Sequence, residues 1–194
     1  YKVKLQDYQT QRDTFDALLN DMDSFAPDMI MMSITNTTIF DDIKVINELK
    51  SKYNPIVVLK GALFFAPEQA MLDMIDFTNV DYLIGGEIDF CIGKIADYCF
   101  KGIGNPAEIN NILYKDETGK MIPTQFHVWD DDLDSQPFPA RQLMNNSLYI
   151  RPDTKEPMAT IQTARGCPSQ CVFCLTPEIS GKKVRFRSPQ NVLE

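Results

Sequence analysis

Histidine and tryptophan are nearly missing from this chain of 194 residues: His127 and Trp129 stand alone. With one imidazole, metal sites built on pairs of histidines are excluded. No apolar run approaches the ~18 residues of a spanning helix, and no signal-peptide pattern opens the chain, so no membrane role is expected. An initiator Met is missing as well; the first residue is Tyr1, and the sequence reads as a fragment. Net positive charge is missing too: at −8 the chain lacks the broad basic face that a nucleic-acid partner requires. Cysteine is sparse, five in all, with three clustered and two apart, which is no secreted disulfide framework. A reducing, cytoplasmic setting is the expectation. At 44% apolar, there is ample material for a packed core.

What is present begins as strand and helix in alternation. "YKVKLQ" reads as a short strand, and Phe15, Leu18, Leu19 and Met22 recur at helical spacing. "PDMIMMSI" is a continuous apolar run suited to a strand buried on both faces. A helix through Ile39, Ile43, Ile46 and Leu49 leads to the strand "PIVVLKG". Pro67 opens a further helix near Met71, Leu72 and Ile75. "DYLIGG" is the next strand, and Glu87 starts a helix whose one stripe holds Ile88, Cys91, Ile92, Ile95 and Cys99. Two thiols on such a stripe read as buried and inert. Alternation at this pitch predicts an α/β fold with a parallel, doubly wound sheet over residues 1–104.

After Phe100 the pattern changes. "EINNILYKDETGKMIPT" reads as two short strands around a turn at Gly119. The Pro- and Asp-rich stretch from 129 to 157 reads as a linker or strap, so residues 105–157 form a hairpin and linker. The run Asp130–Asp134 lacks the Gly and distal Glu of a calcium loop and reads as solvated linker. From 158 a new α/β unit begins: the strand "MATIQTA", a cysteine loop, the strand "KKVRFR", then a helix opened by Ser188 and Pro189 and reaching Glu194. Five cationic residues, Arg165, Lys182, Lys183, Arg185 and Arg187, face one acidic residue, Glu178, across 165–187. They suit either an anionic ligand or a solvated strand surface.

The loop "TARGCPSQCVFCLTP" holds Cys167, Cys171 and Cys174 as C-x3-C-x2-C. A structural zinc takes four ligands, and a ferredoxin cluster four thiolates. Three thiolates on a cubane of four irons leave one iron open to a small ligand. Gly166 and Pro168 suit a tight approach to a cofactor.

This spacing, with Phe173 before the last cysteine, "TARGCP" ahead and "RFRSP" behind, resembles the signature of the radical S-adenosylmethionine superfamily. The resemblance implies that Cys167, Cys171 and Cys174 hold a [4Fe-4S] cluster, that S-adenosylmethionine chelates the fourth iron, and that Phe173 lies beside its adenine. The upstream unit resembles the cobalamin-binding, flavodoxin-like Rossmann domain of one branch of that superfamily, followed by a linker and the first βα of a partial (β/α) barrel. By position, Ser33, Thr35, Gly61, Gly85, Gly86 and Glu87 would line cobalamin. Lys60 stands where that branch usually has Gly, and the first strand and helix would precede Tyr1, so the residues leave cobalamin binding open. "GGE" at 85–87 also matches the superfamily's S-adenosylmethionine motif, but it precedes the cysteines and is assigned to a strand end instead. The resemblance implies methylation, cyclisation or ring rearrangement of a small-molecule substrate, with a reducing partner such as flavodoxin or ferredoxin. The alternative is a non-catalytic α/β module with a zinc or redox cysteine tail.

Overall fold

The structure, a computed structural model, describes residues 1–8, 14–65 and 67–193. Helix α1 (Phe15–Phe25) precedes strand β1 (Met29–Ser33), helix α2 (Ile39–Tyr53) and strand β2 (Ile56–Lys60). A short helix α3 (Gln69–Leu72), strand β3 (Tyr82–Ile84) and helix α4 (Ile92–Lys101) follow. The α2 periodicity is realised as read: Ile39, Ile43, Ile46 and Leu49 are all buried. Asp41 and Asp42 sit in its first turn and Lys50 and Lys52 in its last, complementing the helix dipole. Asn54, in the left-handed region at φ 51°, ends it.

Strands β1, β2 and β3 are parallel, with Ser33 opposite Lys60 and Lys60 opposite Ile84. Because side chains alternate along a strand, Val57 and Leu59 face α2 and α3, whereas Val58 faces the other layer. The first core gathers Ile43, Ile46, Phe64, Leu72 and Leu83. The second gathers Tyr82, Ile84, Cys91, Ile95 and Ile112, with Cys99 packed against it. Helices on both faces of one sheet are the doubly wound layering expected.

The parallel sheet expected over 1–104 is realised in β1–β3. Two other expectations need correction. β4 (Ile112–Lys115) pairs antiparallel with β3, and β5 (Met121–Pro123) with β4, so the full sheet is mixed. The hairpin read as following the α/β unit therefore joins its sheet, in the order β1-β2-β3-β4-β5. The reason is satisfaction of β3's edge, since Ile112 and Leu113 extend the two cores on opposite faces. The second correction concerns "YKVKLQ", which pairs with no strand among the described residues. Smaller differences lie at helix starts. α3 begins at Gln69, beyond Pro67, and a 3-10 turn at Ile88–Phe90 separates Glu87 from α4.

The remaining chain packs as a strap and a small unit. Residues 141–143 and 146–148 form 3-10 turns, and Ile150 bridges to Pro157. Strand β6 (Ala164–Arg165) and strand β7 (Arg185–Phe186) pair antiparallel, two residues each, shorter than "MATIQTA" and "KKVRFR" suggest. Helix α5 (Thr176–Ser180) lies between them and helix α6 (Pro189–Leu193) follows; Glu194 lies outside the described residues. Among the described residues no helix is long and apolar enough to cross a membrane.

Candidate functional site

The parallel register brings the carboxyl ends of β1, β2 and β3 to one edge, so Ser33, Thr35, Lys60, Gly61, Gly85, Gly86 and Glu87 are neighbours there. Doubly wound sheets bind ligands at this edge. Ser33 and Thr35 are exposed. The Thr35 hydroxyl lies 3.0 Å from those of Thr37 and Thr38, and Thr38 donates to Asp42 at 2.7 Å. The glycines are buried. Gly85 is required by close approach: a Cβ there would stand 2.1 Å from the Phe64 carbonyl oxygen. Gly86 is likewise filled in by Asn111, whose side chain donates to the Val128 carbonyl.

Glu87 turns away from this edge into an ion cluster. Arg185 of β7, only 4% exposed, donates to both of its carboxylate oxygens, at 2.6 and 3.0 Å. The same guanidinium donates to the Asp130 carbonyl at 2.6 Å and the Ser180 carbonyl at 2.8 Å. Arg165 of β6 lies 3.5 Å from Glu87 and 2.7 Å from Asp89. The strap joins in. Lys183 pairs with Asp131 at 2.7 Å, the Ser188 N–H donates to Asp134 at 3.0 Å, and the Trp129 indole N–H donates to the Ile179 carbonyl at 2.7 Å. Of the basic residues of 165–187, Arg165 and Arg185 are engaged by Glu87 and Lys183 pairs with Asp131 at the surface, while Arg187 donates to Asn191. His127, at φ 61°, meets Phe65 and Trp129 edge-on at centroid distances of 4.8 and 5.9 Å. With Trp129, Glu178 and Lys182 it lines an open cavity of about 450 Å³.

The cysteine loop leaves this cluster directly. Gly166 follows Arg165 at φ 93°, and a Cβ there would stand 2.1 Å from the Lys183 carbonyl oxygen, so both backbone and space demand glycine. The Cys167 N–H donates to the Gly181 carbonyl at 2.9 Å, and the Cys174 N–H to the Cys171 carbonyl at 3.1 Å. All three thiols are free; Cys171 is exposed and the other two are half-buried. Hydrogen bonds from the Thr176 side chain and then its backbone N–H favour the thiolate of Cys174, pulling its pKa below the ordinary thiol value. Among the described residues no three His, Cys, Asp or Glu side chains converge on a single ion position. Thiolates are donors that both zinc and iron–sulfur clusters accept. Phe173 is 87% exposed, and Val172 and Leu175 beside it also face outward.

No family model matches the chain. An uncharacterized methyltransferase of Pyrococcus horikoshii is 27% identical over the full chain, which spans 41% of that protein's length. The cytidylyl-2-hydroxyethylphosphonate methyltransferase of Streptomyces wedmorensis is 34% identical over 85 residues, covering 40% of this chain and 16% of that one. The cobalamin-dependent S-adenosylmethionine radical enzyme OxsB, with aqua-cobalamin and S-adenosylmethionine bound, superposes with a TM-score of 0.77 at 20% identity, covering 99% of this chain and 26% of OxsB. The methyltransferase TsrM from Kitasatospora setae, with cobalamin and a [4Fe-4S] cluster bound, gives 0.66 at 18% identity, covering 100% of this chain and 39% of TsrM. The chain has the fold of the part that it covers in these cobalamin-binding radical S-adenosylmethionine proteins.

Within that fold, the sequence-derived residues fall into two groups. Ser33, Thr35, Gly61, Gly85 and Gly86 share the strand-end edge, and Cys167, Phe173, Cys171 and Cys174 share one open loop. Glu87 stands between the groups, engaged by Arg185. Sequence reading missed Arg185, Arg165 and Trp129 as organising residues. No local signal marks them: "VRFR" reads as a surface strand, yet Arg185 is 4% exposed and Phe186 70%.

Proposed function

We propose that this chain forms the cobalamin-domain and cluster-loop part of a longer radical S-adenosylmethionine methyltransferase acting on a small-molecule substrate. The division is an α/β cofactor domain over 1–104, a hairpin and strap over 105–157, and the opening of the radical core over 158–194. The carrying observation is that Cys167, Cys171 and Cys174, alone among the five cysteines, present free thiols from one solvent-open loop. The methyltransferase names of the similar proteins support a methyl-transfer outcome.

In this reading Cys167, Cys171 and Cys174 would hold a [4Fe-4S] cluster, which would supply an electron for reductive cleavage of S-adenosylmethionine. The chain's own residues prepare for it. Gly166 permits the turn that carries Cys167 past the Lys183 carbonyl, and Thr176 holds Cys174 toward its thiolate form. Phe173 offers an unburied ring to the adenine. Ser33, Thr35 and Gly61 form the edge for cobalamin. Lys60, at the end of β2, requires the corrin tail to pass beside a long side chain. Because the chain spans 41% of the Pyrococcus horikoshii protein, the isolated chain is expected to be inactive. A flavodoxin or ferredoxin in the cytoplasm would supply electrons.

The test is anaerobic iron–sulfide reconstitution of the full-length protein. The expected product is brown, with roughly four irons per chain, and its electron paramagnetic resonance spectrum shifts on adding S-adenosylmethionine. A colourless protein holding one zinc per chain, or a spectrum indifferent to S-adenosylmethionine, overturns the reading.

A further inference from the structure

Arg185 and Glu87 are 98 positions apart, yet both are almost fully buried and meet fork to fork. Ion pairs removed from water are poor stabilisers, because the cost of desolvating two charges rivals their attraction. What a planar guanidinium on a carboxylate does supply is orientation. Here one guanidinium touches three segments at once: the Glu87 carboxylate after β3, the Asp130 carbonyl of the strap, and the Ser180 carbonyl closing α5. Arg165, two residues before Cys167, adds its own contacts to Glu87 and Asp89. Both arms of the cysteine loop, at Arg165 and at Ser180, are thereby tied to the residue that follows Gly85 and Gly86.

We infer that Glu87 and Arg185 are positioning residues, whose buried fork fixes the cysteine loop at a set height and rotation over the carboxyl ends of β1–β3. The inference rests on the proposed function for its purpose, since that reading places one cofactor on the loop and another on the strand ends. Its geometry stands without either cofactor. Neither residue touches a reacting atom; they act by holding the loop against the edge. The roles of Glu87 and of cobalamin separate accordingly: its carboxylate is consumed by Arg185 and is not a ligand to the corrin.

The experiment compares hydrogen–deuterium exchange of the cofactor-free, full-length protein with that of Arg185→Lys, which keeps the charge but loses the fork. Backbone amides of residues 164–187 are expected to exchange roughly tenfold faster in the variant, while β1–β3 keep their protection. The exchanged-charge double variant, Glu87→Arg with Arg185→Glu, is expected not to restore protection, because a carboxylate at 185 would face the Asp130 and Ser180 carbonyls. Restoration by that double variant, or unchanged exchange in Arg185→Lys, overturns the inference. Should Arg185→Lys fail to fold, Glu87→Gln keeps an acceptor and a similar shape; its loop must still exchange faster, and wild-type protection there is equally fatal. Faster loop exchange in the variant, together with no cluster on reconstituting the wild-type protein, defeats the functional reading and leaves the positioning role standing. The reverse pattern defeats the positioning role alone.

Discussion

Two sets of thiols, one in the α/β layers and one in the loop beyond the strap, occupy opposite environments. Cys91 is 2% exposed, sits at the start of α4 near the Glu87 and Asn110 carbonyls, and burial pushes its thiol up to about 12. Cys99, one helical stripe along, meets the Tyr82 hydroxyl at 3.5 Å and is also pushed up by burial. In the loop, Cys171 is open to solvent, and Thr176 pulls Cys174 the other way. The side chain is the same; the surrounding dielectric and donors decide whether sulfur behaves as a small hydrophobe or a ligand. An apolar stripe predicts the first behaviour and a loop of glycine, proline and donors the second.

The largest effect should come from removing one set and keeping the other. Replacing Cys167, Cys171 and Cys174 together by Ala is expected to abolish iron binding while shifting unfolding free energy by no more than about 0.5 kcal/mol, since none of the three is buried. Cys91→Ala should do the reverse: full iron content, with stability lowered by about 1 kcal/mol through a small cavity. Iron retained in the triple variant would collapse the distinction between the two sets. Iron analysis and urea unfolding of the four proteins, wild type, triple, Cys91→Ala and the quadruple combination, read both quantities at once.

Next in size is the link between the regions. Arg185→Met leaves the buried Glu87 with only Arg165, 3.5 Å away, and is expected to cost about 3–5 kcal/mol. Adding Glu87→Met should recover most of that loss, because an apolar pair of similar volume carries no desolvation penalty. The cycle is measured by urea unfolding. Additive rather than compensating losses would mean that the two side chains contribute separately, against the 2.6 Å contact.

Sequence made much of this legible where the signal is local. The α2 stripe and the β2 run announce their burial through spacing alone, and Cys167, Cys171 and Cys174 share the one open loop that their spacing suggests. What stayed hidden depends on distant partners. The antiparallel attachment of β4 to β3 follows from an open strand edge that no local pattern in 112–115 reveals. Arg185 reads as surface because a charged residue in a two-residue strand normally is, and its acceptor lies in a turn 98 residues earlier. Residues 1–7 show the converse: strand-forming composition that pairs with no strand among the described residues.

The smallest effect sharpens the comparison by pH. The Cys91 thiol, ordinarily near 9.0, is raised to about 12 by desolvation in the folded state. Between those values the unfolded chain has lost this proton and the folded chain has kept it. The folded state then binds more protons, so stability falls as pH rises, by up to about 1.4 kcal/mol per unit. Below about pH 8 both states hold the proton and the contribution is constant. Urea unfolding at about pH 8 and about pH 10 should therefore show wild type losing about 1.4 kcal/mol more than Cys91→Ala. Tyr82 and Cys99, raised by burial in the same core, add an alkaline loss common to both proteins, so the difference between them isolates Cys91. Parallel curves for wild type and Cys91→Ala would place that thiol in contact with water and return it to the company of the loop cysteines.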